Sequence, residues 1–315
     1  MYQAASTGSR LILFSSLAVM GAGCAMPLHH QQGQQTLEIS SEGLDGVDVR
    51  THNGSVRFTP SGASDAPIVA VATITVGAAT PEGAEAALAD IELFSETHPD
   101  DGAIQKVGWK WRADPHPGCT VEVELDVILP ARLAIEGHVH NGELVAHGTE
   151  GACRLFTHNG RVRVLGGGTP LVADTQNGTV QVHSPATEVQ LRTHNGKVEA
   201  DLTSTSTLSG NIECHNGKVE LTLNPAVSVE LECKTHNGRV RNDLSLDDED
   251  RDRRRLRGRM NGGETLLRVS THNGNVELRA PDQDDVDEDE EDEDDEDDED
   301  ENVDYGTDEQ VEENG

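Results

Sequence analysis

Seven histidines occupy one recurring slot. The tetrapeptide Thr-His-Asn-Gly, or a close variant, stands at residues 51–54, 139–142, 157–160, 175–178, 193–196, 214–217, 235–238 and 271–274, with Gln176 replacing histidine in the fourth copy. His52, His140, His158, His194, His215, His236 and His272 are thus half of the chain's 14 histidines. Imidazoles held about 5 Å apart on neighbouring strands suit a borderline transition metal such as zinc or copper. One expectation is therefore a weak divalent-metal column of His140, His158, His194, His215 and His236, with His138 adding a second imidazole on the strand of His140. A surface of imidazoles that titrates near neutral pH is another.

Cations follow several of the same turns. Arg161, Lys197, Lys218 and Arg239, with Arg163 and Arg241 two places on, form an expected stripe for anion contact, either with envelope phosphates or with the chain's own acidic end. The stripe repels metal ions, and outward Glu188, Glu199, Glu213, Glu220, Glu230 and Glu232 dilute its charge. The simplest expectation for both sets is thus a repeated, solvated face. The sequence contains no metalloprotease, nucleophile-elbow, phosphate-loop or dinucleotide signature, and residues 166–168, three glycines, read as a turn. No catalytic residue and no resident cofactor are expected.

The ends carry different information. Residues 1–23 read as an export signal, with Arg10 ahead of an apolar stretch of ten residues, too short to span a bilayer. The small residues leading into Cys24 resemble a bacterial lipoprotein cleavage site. That resemblance makes Cys24 the acylated residue, and Ala25 and Met26 behind it imply the outer membrane, facing the periplasm or the surface. Residues 24–42, rich in Gln and His, read as a tether. Residues 282–315 hold 23 Asp or Glu and no Lys or Arg, and read as a disordered acidic tail. Removing those 23 charges from the net −34 leaves about −11 on the rest, which excludes a nucleic-acid backbone as partner. Cys119, Cys153, Cys214 and Cys233 are even in number with no C-x-x-C spacing, so they read as small core residues or as disulfides of undetermined pairing.

Spacing and parity say how the motif is positioned. From Asn141 the asparagines recur at steps of 18, 18, 18, 21, 21 and 36, the period of a stacked repeat whose last step holds an insertion or a rung without the motif. Around Asn195, Val189, Leu191 and Thr193 alternate with polar neighbours, and Val198 and Ala200 continue the apolar set after the turn. Period two is half-buried strand, and Asn-Gly is a tight turn. With only eight aromatic residues, the core must be Val, Leu, Ile and Ala. An antiparallel meander needs a cover that one short helix, capped at Thr80 and running from residue 81 to about 94, does not supply. The all-β fold predicted is therefore a β-solenoid of two-strand rungs over residues 43–281, stacked in sequence order, with Thr and Asn ladders at its corners. The expected N-terminal additions are strands at 68–76, around Trp109 and Trp111, and at 121–127; residues 246–263 are expected to be a solvated loop.

A Val-rich strand ending at Pro130, repeated strand–Asn-Gly–strand units, and Leu256-Arg-Gly-Arg-Met-Asn-Gly-Gly-Glu leading into the last motif together resemble the putative-adhesin family of bacterial envelope proteins. The resemblance covers residues 43–281 and implies a β-solenoid-like domain, no catalytic residues, and envelope glycopolymers or other proteins as partners. Histidine in the slot before Asn-Gly departs from that family, which commonly has other polar residues there.

Overall fold

The computed structural model describes the backbone of residues 10–17 and all of residues 28–281; Cys24 and the acidic stretch 282–315 lie outside the described residues. Two twelve-stranded sheets face each other. Each rung contributes one strand to each sheet. Examples are Ala152–Asn159 with Val162–Leu165, Gly168–Asn177 with Val180–His183, and Glu188–Asn195 with Val198–Leu202. Strands of successive rungs pair in parallel, Asn159 with Asn141, Asn177 with Asn159 and Asn195 with Asn177. The β-solenoid expected from the period is the fold found.

Its interior follows from the alternation. Val189 and Leu191 from one sheet and Val198, Ala200 and Leu202 from the other are buried, as are their counterparts in most rungs, Val240 at the end of the stack being only partly so. Val, Leu, Ile and Ala make up nearly all of it, and Phe58 is the one fully buried aromatic among the described residues. A two-layer interior this thin is filled by β-branched and aliphatic side chains without an additional covering layer.

Most corners stack by three hydrogen bonds per step; Val139, with no hydroxyl, leaves its step with two. In one such step the Gly160 amide donates to the Asn177 carbonyl at 2.9 Å, Asn177 Nδ2 donates to Asn159 Oδ1 at 2.8 Å, and Thr175 Oγ1 donates to the Gly160 carbonyl at 3.1 Å. The asparagine amides form one unbroken ladder from Asn53 to Asn237 at 2.7–2.9 Å. Threonine is buried as expected, whereas the asparagines line the exposed rim of most corners. The corner must be glycine because the neighbouring backbone passes so close: a Cβ on Gly178 would lie 1.8 Å from the Gly160 oxygen.

Four expectations are corrected. First, rungs do not stack in sequence order at the C-terminal end. Leu266–Asn273 lies between Ser209–Asn216 and Val229–Asn237, paired in parallel with both, and Val276–Arg279 sits likewise between Val219–Leu223 and Val240–Asn242. The return is pinned by Asn261, whose Nδ2 donates to the carbonyls of Pro225 at 2.8 Å and Val227 at 2.9 Å. Second, residues 246–263 are not an open loop. Asp247–Arg251 and Arg255–Met260 form a hairpin on the edge of Val229–Asn237, and Leu256 and Met260 cover the end of the core.

Third, the helix is Pro81–Ala89, capped as expected by Thr80 Oγ1, which accepts from the Gly83 amide at 3.0 Å. It stops before Ile91 because Ile91 and Leu93 are taken by a strand, Ile91–Thr97, paired with Ile104–Trp111. Fourth, the presumed tether is strand from residue 29. His29–Ile39 pairs with Ile68–Ala78, and buried Gln35 donates to the Ile91 carbonyl at 2.7 Å and accepts from the Leu93 amide at 2.9 Å, tying the two sheets together. On the other edge of His29–Ile39 runs Arg10–Leu17, part of the stretch read as export signal.

Candidate functional site

The motif histidines project outward from one sheet beside the corner and form a column in two runs. His52, His140 and His158 stack with ring centroids 4.6 and 4.8 Å apart, and after Gln176 the stack resumes through His194, His215, His272 and His236 at 4.6, 4.9 and 4.7 Å. Planes of adjacent rings differ by at most 7°. The spacing is that of the strands beneath. The ligand set expected from sequence order changes in two ways. His272 separates His215 from His236, and His52 joins His140 at the other end. A metal ion bound by an imidazole lies in the ring plane, and parallel planes do not meet, so an ion shared by neighbours requires a ring to leave the stack. The pKa of His215 is lowered by partial desolvation between its neighbours and by the like charge of His194 and His272.

Across the corner, the cationic stripe is present but largely neutralised. Lys197 pairs with Glu199 and, at 2.7 Å, with Glu220; Lys218 pairs with Glu220 and, at 2.7 Å, with Glu277; Arg161 lies 3.9 Å from Glu143. Glu277, buried beneath this network, also accepts from Arg241 at 3.1 Å and Arg279 at 2.9 Å. Its carboxyl is held below the usual range, first by the Lys218 bond. Of the four stripe residues only Arg239 makes no ion pair among the described residues. Sequence parity places Glu199 and Glu220 outward without showing that their column interlocks with the lysines, and does not single out Glu277.

A second cluster was not singled out as a unit from the sequence. Asp48, almost fully buried, accepts from Arg50 Nε at 3.0 Å; Glu136 Oε1 is 2.7 Å from His138 Nε2; and the His138 ring stacks 5.0 Å from Phe156. Asp48, Glu136 and His138 place ligand atoms within 4.8 Å of one another, but the Arg50 guanidinium already fills the role of counter-ion. Only outward parity in neighbouring rungs marked these residues. Trp109 Nε1 donates to Thr51 Oγ1 at 3.2 Å, anchoring the outermost paired rung to the first motif.

The four described cysteines are free thiols, three of them buried. Burial pushes Cys153 and Cys233 up to about 12. Cys214 stands where most other copies have threonine, and its Sγ donates weakly to the Gly196 carbonyl at 3.5 Å.

No protein-family model matches the chain, and no curated protein does. Solved structures are similar to it at low identity. One, a putative cell adhesion protein from Clostridium sporogenes ATCC 15579, is 11% identical, with a TM-score of 0.35 over 80% of this chain and 100% of that one. A putative adhesin from Parabacteroides merdae ATCC 43184 is 11% identical, with a TM-score of 0.33 over 78% and 95%. A third, from Bacteroides fragilis NCTC 9343, is 11% identical, with a TM-score of 0.30 over 79% and 97%.

Proposed function

We propose that the chain is a non-catalytic protein of the cell envelope, lipid-anchored at Cys24, whose repeated outer face makes structural or adhesive contact with an envelope polymer or another protein. The observation that supports this is the imidazole column. The fold is held by inward aliphatic residues and by the Asn, Gly and Thr bonds of the corners, and Gln176 fills the histidine slot without interrupting them. The histidines are thus additional to what the fold requires, exposed, and spaced at a fixed interval. A lattice of identical groups complements a partner that is itself repetitive, because many weak contacts in register add to one strong attachment.

Beads coated with the full chain test this reading. They should hold to isolated cell envelopes under flow, and beads carrying His194→Gln, His215→Gln, His272→Gln and His236→Gln together should detach earlier. Retention no better than that of albumin-coated beads, or turnover of a panel of chromogenic esters, glycosides and phosphodiesters, would contradict it.

A further inference from the structure

The insertion of the last motif between two earlier rungs creates a notch. In the outward column beside the imidazoles, Glu213, Ser270 and Lys234 are consecutive by register. Ser270 is the short side chain between two long ones. The resulting space, about 330 Å³, has His194, His215, His272 and His236 as one wall, Arg192, Glu213, Ser270 and Lys234 as the other, and Thr193, Cys214 and Thr271 at its floor.

Donors dominate this space. Lys234 makes no ion pair among the described residues, because the neighbouring carboxylates are engaged elsewhere: Glu213 with Arg192 at 3.8 Å, and Glu232 with Arg268 at 3.2 Å and Arg257 at 3.8 Å. Arg255 stands next to Lys234 in register on the far side. Around the corner, the residues following the turns are Lys197, Lys218, Asn275 and Arg239; the two lysines are neutralised by Glu199, Glu220 and Glu277, and Arg239 is not. A metal ion here meets an unpaired ammonium, whereas an oxyanion meets an ammonium, a hydroxyl and a wall of imidazoles, each able to donate.

We propose that this notch binds a phosphoryl oxyanion, with the Lys234 ammonium as its cation, Ser270 as hydroxyl donor, and His215, His236 and His272 as ring N–H donors. The site gives a chemical identity to the contact surface proposed above and rests on that reading only for its biological partner. The binding itself is measured in solution, so adhesion and anion binding fail separately.

Calorimetric titration of the full chain with inorganic phosphate and with linear polyphosphate, at about pH 5.5 and about pH 7.5, on either side of the model-compound imidazole value, tests it. Both probes should bind more tightly at the lower pH. Tighter binding per phosphate for the polymer identifies a polymeric partner, and equal binding identifies the free ion. Lys234→Gln should weaken binding about tenfold, the scale of one hydrogen bond to a charged group. His272→Gln, which places in this slot the residue native at Gln176, should weaken binding at both pH values by removing one ring N–H donor. Ser270→Glu should abolish binding, and Lys197→Gln, in the neutralised stripe, should leave it unchanged. Affinity unaltered by Lys234→Gln and Ser270→Glu, tighter binding at about pH 7.5, or stoichiometric zinc binding with indifference to phosphate would overturn the proposal.

Discussion

At the scale of the residue, the fold is decided at its corners. Gly196 has φ of +154°, and a Cβ there would meet the Gly178 oxygen at 1.8 Å. Gly196→Ala should therefore cost about 3 kcal/mol or more in denaturant unfolding, since backbone rather than a movable side chain is in the way. Thr193 Oγ1 donates to the Gly178 carbonyl at 3.0 Å, and Thr193→Val, of equal shape, should cost about 1 kcal/mol. Cys214→Thr should stabilise by a similar amount, replacing a weak thiol donor with the hydroxyl used in other copies. His215 makes stability depend on pH. Because the pKa of His215 is lowered in the folded chain, its contribution to stability is present above the ordinary value of 6.5 and is lost as pH falls through the depressed one. In phosphate-free buffer the melting temperature of the wild type should fall between about pH 7.5 and 5.5 by more than that of His215→Gln.

Among the elements, each rung stands on its neighbours. Leu221→Ala, in a fully buried position between rungs, should cost about 3 kcal/mol. Glu277→Gln should cost about 2 kcal/mol at neutral pH by loosening Lys218, Arg241 and Arg279 together. The carboxyl's depressed pKa adds stability that is present above its ordinary 4.5 and lost as acid protonates it, so the difference between variant and wild type should shrink below that pH. Inward and outward parity, the corner glycines and the Thr80 cap were all legible in the sequence because each is a local rule. The order of rungs was not, since Val229–Asn237 and Leu266–Asn273 carry the same motif and parity, and only the step of 36 marked the disturbance. For the same reason His272 was seen as a motif histidine but not as the neighbour of both His215 and His236. The Gln and His content of the N-terminal strand suggests a solvated tether, whereas Gln35 is buried with both ends of its amide bonded.

For the whole molecule, separate surfaces do separate work. The interior thiols are inert by burial: a disulfide-exchange reagent should leave Cys153 and Cys233 unmodified in the folded chain and label Cys119, the partly exposed one, first. Labelled palmitate should be incorporated by the wild type and not by Cys24→Ala, the direct check on the anchor. Both the contact face and the notch depend on one geometric statement, that the His-Asn-Gly corners form a single column in which the last motif lies between the sixth and the seventh. Ring-proton nuclear Overhauser effects from a chain with labelled histidines measure this directly. The account predicts cross-peaks from His272 to both His215 and His236 and none between His215 and His236; a cross-peak joining His215 to His236, with His272 beyond the end of the stack, would contradict it.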